Sequence, residues 1–258
     1  MKKLEVFGVA KLKGQIKISG SKNASLPILA ATLLSDKKIS LTNLPRVKDV
    51  ETMIKLLESM GSKVKLSKNK NSLVIQNNKK IKTEAGYNLM STMRAGIIVL
   101  GPLLARFGKA RASSPGGCNI GFRPIDIHLE ALKKMGVQYK ITDGYINAKA
   151  KNGLIGAKIK FPKISVGATE NLMIAACLAK GQTVLSNCAI EPEIKDLSNF
   201  LCSIGAKIVW IGKRQVKIIG VKNFKQSNYK IMFDRIEAGT MLVAAAINQG
   251  NLKITGIE

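Results

Sequence analysis

Four helical stretches rich in Ala and Leu end at Asp36, Gly108, Gly181 and Gly250, at intervals of 72, 73 and 69 residues. A period near 70 marks a chain built by repetition, and it constrains the architecture before any single residue is weighed. Each end is followed by a short β-branched strand, at residues 38–42, 110–113, 183–186 and 252–255. In the first three copies an amphipathic helix comes next, closing on Met60-Gly61, Met135-Gly136 and Ile204-Gly205, where glycine suits the left-handed position just past a helix end. Strand pairs then follow at 63–66 with 73–76, 138–141 with 145–148 and 207–210 with 215–219; the middle pair turns at Asp143-Gly144, a favoured hairpin dipeptide. Each unit reads helix, strand, helix, strand, strand. Three such units are expected to gather into one α/β (α+β) body. A fourth opens with a helix over 235–249 and the strand at 252–255, and is expected to be incomplete at Glu258.

Comparing equivalent positions separates structure from chemistry. Asn43 and Asn187 each lie 18 residues before the glycine that closes their unit's second helix, and Cys118 lies 18 before Gly136. A thiol thus stands in the middle copy where its sisters have asparagine. It sits in Pro115-Gly116-Gly117-Cys118-Asn119-Ile120-Gly121-Phe122-Arg123-Pro124, between a strand and a helix read as 110–114 and 124–135. Glycines let backbone N–H groups approach a ligand, Pro124 suits a first helical position, and Arg123 with a helix N-terminus would hold an anion and depress a thiol pKa. The bland alternatives are a turn cysteine without chemistry and a solvated arginine.

The other candidates stand at the starts of the Ala- and Leu-rich helices. Ser21-Lys22-Asn23-Ala24 precedes the apolar run 26–34; Ser21 or Asn23 would cap it, and Lys22 would set an ammonium beside its free N–H groups. Arg94 opens the matching helix of the second copy, and Lys163, Ile164, Ser165, Val166 and Gly167 open that of the third. Asp234-Arg235-Ile236-Glu237 opens the fourth. His128, one turn into the helix after the thiol loop, reads either as an anion ligand or as a packed core residue. Polar groups at corresponding helix starts are what a single ligand-gathering face requires.

Charge bears on the partners. The chain carries 42 Lys and Arg against 16 Asp and Glu, a net +26. Only seven of the basic residues are arginine, the lysines are spread over nearly every segment, and aromatics make up 5%. That pattern lacks the compact stripe and stacking platforms of a nucleic-acid binder and reads as a lysine-rich solvated surface, whose field still favours an anionic substrate. No apolar run reaches the roughly 18 to 20 residues of a membrane span. The start has no signal-peptide pattern, so a cytoplasmic protein is expected. Cys118, Cys177, Cys188 and Cys202 form no CxxC pair and there is one histidine, so a zinc site is not expected. Cys177 and Cys202 are expected to be buried and all four cysteines to be free thiols.

Taken together, Gly20-Ser21-Lys22-Asn23-Ala24, Thr92-Met93-Arg94-Ala95 and the stretch from Pro115 through Ile125-Asp126-Ile127-His128 resemble the UDP-N-acetylglucosamine 1-carboxyvinyltransferase family of enolpyruvyl transferases. The likeness covers all 258 residues. It implies an inside-out α/β barrel of the EPSP synthase-like kind, three full repeats plus part of a fourth, with the site in a cleft between two domains. Residues 1–20 would belong to the second domain, 21–230 would form the complete thiol-bearing domain, and 231–258 would begin the second. The implied reaction transfers enolpyruvate from phosphoenolpyruvate to the 3-hydroxyl of UDP-N-acetylglucosamine in peptidoglycan precursor synthesis, releasing phosphate. By resemblance Cys118 delivers the proton and is the thiol that the epoxide fosfomycin alkylates. Lys22, Asn23, Arg94 and Arg123 would contact phosphoenolpyruvate or the nucleotide sugar. Arg123, Pro124, Ile125, Asp126 and Ile127, with Lys163, Ile164, Ser165, Val166 and Gly167, would line the nucleotide side. No metal, cofactor, nucleic acid or membrane partner is implied. The carboxylate base and further arginines lie in the family's other half, which would be needed to complete the site. 5-Enolpyruvylshikimate-3-phosphate synthase shares the chemistry but does not require the thiol loop, and a non-catalytic nucleotide-sugar-binding fragment is the other alternative.

Overall fold

A computed structural model describes residues 3–5, 7–8, 11–113 and 125–257. The first unit runs β1 (Lys13–Lys17), α1 (Lys22–Ala31), β2 (Ile39–Thr42), α2 (Lys48–Ser59), β3 (Lys63–Leu66) and β4 (Leu73–Gln76). The second runs β5 (Glu84–Ala85), α3 (Tyr87–Met90), a 3-10 helix Arg94–Val99, α4 (Leu100–Phe107), β6 (Lys109–Ser113), α5 (Asp126–Lys134), β7 (Gln138–Thr142) and β8 (Tyr145–Lys149). The third runs β9 (Lys158–Lys160), α6 (Val166–Ala176), β10 (Gln182–Ser186), α7 (Pro192–Ser203), β11 (Lys207–Gly212) and β12 (Gln215–Ile219), after which come β13 (Ser227–Lys230), α8 (Arg235–Ile247) and β14 (Asn251–Thr255).

The helices form the interior and the sheets the wall. In α1 every residue from Ala24 through Ala31 is buried, and in α6 every residue from Ala168 through Ala176. A helix apolar on all sides has no face to give to water and must occupy the core. By contrast α2, α5 and α7 are amphipathic and bury one stripe each, such as Val50, Met53, Ile54 and Leu57 in α2. Their ends repeat one design. Gly61, Gly136 and Gly205 have φ of 105°, 90° and 107°. Their N–H groups donate to Glu58, Lys133 and Cys202, while the next N–H groups donate to Leu57, Leu132 and Leu201, the paired bonds of a Schellman motif.

Three four-stranded sheets share one order: β13-β2-β4-β3, β5-β6-β8-β7 and β9-β10-β12-β11. In each, the first pair is parallel and the other two antiparallel. The expected hairpins are present, and Asp143 and Gly144 turn the middle one with φ of 51° and 73°. The parallel edge strands β5, β9 and β13 are additions to the expected unit; at two to four residues they carry too little pattern to be read from sequence. The first sheet takes its edge strand from β13, after the third unit, which closes the ring. The segment ahead of α1 instead sends β1 to pair in parallel with β14. Residues 19–21 and 232–234 run antiparallel beside each other, with Ser21 N–H donating to the Met232 carbonyl at 2.8 Å and Asp234 N–H to the Ser19 carbonyl at 2.9 Å.

Helix α8 stands apart from the other long helices. It is apolar along most of its length, yet buries none of its residues, and Ile236, Leu242, Val243 and Ile247 are each more than half exposed. Cys177 is buried as expected, but Cys202 is exposed. On α7 the buried residues Ile194, Leu197, Ser198 and Leu201 mark one stripe, and Cys202 lies about 100° round from Leu201. None of the described helices is long and apolar enough to cross a membrane.

Candidate functional site

The helix starts gather on one face. Ser21 caps α1, its hydroxyl accepting from Ala24 N–H at 3.3 Å, and Ser165 caps α6 in the same way through Ala168 N–H at 3.3 Å. Each cap carbonyl also accepts a side-chain hydroxyl one turn on, Ser25 in one copy and Thr169 in the other, both at 2.7 Å. Of the two caps considered for α1, Ser21 serves, which leaves Asn23 exposed on the first turn. The first helical residues are therefore Lys22 in α1, Arg94 in the 3-10 helix that leads into α4, Val166 in α6 and Arg235 in α8.

Contacts between the starts bind this face together. Lys22 Nζ lies 3.2 Å from Asp49 Oδ2 in the first turn of α2, and Lys22 N–H donates to Asp234 Oδ2 at 3.3 Å. Asp234 in turn caps α8 through Ile236 and Glu237 N–H. Ala189 N–H, just ahead of α7, donates to the Thr169 hydroxyl at 3.0 Å. In the first turn of α7, Glu193 is nearly fully buried and pairs with Arg235 at 3.0 Å. Each helix start leaves N–H groups unpaired, and several starts on one face add their positive ends.

The second and third copies meet at His128. On α5 it is 7% exposed, and a side chain at Gly167 would sit 3.3 Å from its Cε1 and 3.5 Å from its Nε2. Gly167 is thus the residue that lets the imidazole lie against the first turn of α6. Burial pushes His128 down to about 4; the Asp126 carboxylate opposes this and the Arg94 guanidinium adds to it. The ring is neutral at physiological pH. Its Nδ1 lies 3.1 Å from Nδ2 of Asn171, a fully buried residue of α6.

Among the predicted residues, Arg94 is half-buried, Ile125 precedes α5, Asp126 opens it on the exposed side and Ile127 is buried. Asp126 and Ile127 border a groove of about 90 Å³ whose far wall is Ile159, Lys160, Phe161 and Pro162. Lys163, Ile164 and Val166 are exposed immediately beyond that wall, with Ser165 and Gly167 partly covered. So Ile125, Asp126, Ile127 and 163–167 share one rim with His128, while Lys22 and Asn23 belong to the neighbouring start of α1. Cys118, Arg123 and Pro124 lie outside the described residues.

The sisters of the thiol position are described, and they are structural. Asn43 and Asn187 both have φ of 60° and donate through Nδ2 to the carbonyls of Ile231 (2.9 Å) and Phe161 (3.0 Å), tying each strand end to the parallel edge strand beside it. A cysteine cannot supply that amide donor. Sequence reading missed Asp49 and Asn171, the partners of Lys22 and His128. The available signal for Asn171 was a polar Thr169-Glu170-Asn171 step opening an otherwise apolar run.

Central helices walled by three sheets of identical order, with helix starts collected on one face, define the enolpyruvyl-transferase class of fold. The enolpyruvyl transferase NikO from Streptomyces tendae aligns with a TM-score of 0.80 over 91% of this chain and 55% of that one, at 19% identity, a likeness of fold alone. The family model for EPSP synthase (3-phosphoshikimate 1-carboxyvinyltransferase) matches residues 6–258, and the chain belongs to this family. Across all 258 residues it is 70% identical to the UDP-N-acetylglucosamine 1-carboxyvinyltransferase of Pelagibacter ubique and 48% identical to that of Trichlorobacter lovleyi. The chain spans 61% of the length of each of these relatives.

Proposed function

We propose that this chain carries the thiol-bearing part of a UDP-N-acetylglucosamine 1-carboxyvinyltransferase. The observation that carries the reading is the 70% identity, unbroken over 258 residues, to a protein of that name. The rim described above fits it, since phosphoenolpyruvate and a nucleotide diphosphate are both anions and helix starts with Lys22 and Arg94 attract them.

In this reading Cys118 delivers a proton to the methylene carbon of phosphoenolpyruvate while the sugar 3-hydroxyl oxygen bonds to the adjacent carbon and loses its own proton. Loss of a methyl proton then expels phosphate and restores the double bond, so the enolpyruvyl group ends on the sugar. Lys22, Asn23, Arg94 and Arg123 hold the charged groups as negative charge builds. Arg123 through Ile127 and residues 163–167 receive the nucleotide. The carboxylate base is supplied from outside these 258 residues. Residues 1–20 and 231–258 begin a second domain in this reading, which accounts for β1 pairing with β14 and for an apolar α8 with exposed faces.

The test is phosphate release from phosphoenolpyruvate by a chimaera in which this chain is followed by the remainder of the Pelagibacter ubique relative. Release that requires UDP-N-acetylglucosamine and is lost in Cys118→Ala is expected. No release, or release indifferent to Cys118, contradicts the reading.

A further inference from the structure

Asn171 is a buried amide whose hydrogen-bond roles are fixed by the backbone. Its Oδ1 accepts from Gly101 N–H at 2.8 Å, and its Nδ2 donates to the Ile97 carbonyl at 3.3 Å. A backbone N–H only donates and a carbonyl only accepts, so the amide cannot be flipped without breaking both bonds. The second Nδ2 hydrogen then faces His128 Nδ1 at 3.1 Å. That nitrogen must accept, because a proton on it would set donor against donor. The imidazole proton is left on Nε2, which lies against the first turn of α6.

We infer that Asn171 is a positioning residue that holds His128 as the neutral Nε2–H tautomer and so turns it into a fixed hydrogen-bond donor at the head of α6. Gly101 is part of the device, since a side chain there would run into Asn171 Oδ1. The device couples the second copy to the third: Ile97 and Gly101 orient an amide on α6, and the amide orients a ring on α5. Use of the donor, toward an oxygen of the nucleotide sugar, rests on the function proposed above. The tautomer does not.

His128 is the single histidine of the chain, so its two ring nitrogens give one unambiguous pair of ¹⁵N resonances. In the ligand-free protein at pH 7, Nδ1 is expected at the position of an unprotonated nitrogen and Nε2 at that of a protonated one. In Asn171→Asp, whose Oδ1 still accepts from Gly101, the donor becomes an acceptor and Nδ1 is expected to gain a proton. A protonated Nδ1 in the wild type, or an even mixture of tautomers, overturns the inference even if the variant does not fold. So does a folded Asn171→Asp with an unchanged pattern. Adding UDP-N-acetylglucosamine to the wild type then separates the two claims. A shift of the Nε2 proton supports the use of the donor, whereas no shift with the tautomer as stated counts against that use and leaves the positioning intact.

Discussion

Lys22 Nζ sits 3.2 Å from Asp49 Oδ2, with the lysine 42% and the aspartate 39% exposed. An ion pair this open to water contributes little to folding, at most about 1 kcal/mol. Its effect is to hold an ammonium at the head of α1 without burying it. Asp49→Ala and Lys22→Ala should therefore each shift the urea midpoint by no more than the equivalent of about 1 kcal/mol. Lys22→Ala should in addition weaken binding of phosphoenolpyruvate at least about tenfold, some 1.4 kcal/mol, in calorimetric titration of the chimaera. Equal binding by Lys22→Ala and wild type would remove Lys22 from the site.

Asn187 tests the structural half of the thiol comparison. Its left-handed backbone and its bond to the Phe161 carbonyl should make Asn187→Ala cost about 2–5 kcal/mol, from a backbone term of about 1–2 and an unmet carbonyl of about 1–3 kcal/mol. Asn187→Gly, which keeps the backbone freedom, should cost less. At the sister position, Cys118→Asn should leave stability unchanged or higher while abolishing phosphate release in the chimaera. Denaturant unfolding of the three variants, with the release assay on the last, checks the set.

Two buried groups give opposite dependences on pH. His128 is held at about 4 against an ordinary 6.5. The unfolded chain therefore binds the extra proton between those values, and the stabilising contribution is present above pH 6.5 and lost as pH falls toward 4. The difference is on the order of 3 kcal/mol. Glu170 is the reverse: burial first, then the nearby Glu193 and Glu191 carboxylates, raise it well above its ordinary 4.5. Its contribution is present below that ordinary value and lost as pH rises through the elevated one. Glu170→Gln should accordingly stabilise the protein at neutral and alkaline pH and do little at pH 4, while His128→Gln should flatten the acid limb. Urea unfolding at pH 4, 6 and 8 measures both.

What could be read from the sequence was what repeats. Gly61, Gly136 and Gly205 announce helix ends because only a residue without a Cβ takes that backbone easily, and Asp143-Gly144 announces its hairpin for the same reason. The edge strands were not legible. Glu84–Ala85 is two residues long, and β13 reaches β2 across some 190 residues of chain, a pairing that no local pattern encodes. Cys202 was misjudged by reading the apolar character of its stretch rather than its phase on the helix. Within the site, the capping Ser21 and the basic first residues were visible because their types are restricted. Asp49 and Asn171 were hidden because their importance comes from residues distant in sequence.

The central claim is that one thiol of four has been made reactive at an anion-binding rim. Among the described cysteines, Cys177 and Cys188 are buried; burial raises both thiols, Cys188 to about 11, so neither offers much thiolate at neutral pH. Cys202 is exposed and serves as the internal control for an ordinary accessible thiol. Treating the chimaera with fosfomycin in the presence of UDP-N-acetylglucosamine and locating the adduct by peptide mass spectrometry is the most direct measurement. Modification of Cys118 well ahead of Cys202 is the predicted result, and labelling of Cys202 at the same rate as Cys118 would contradict the account.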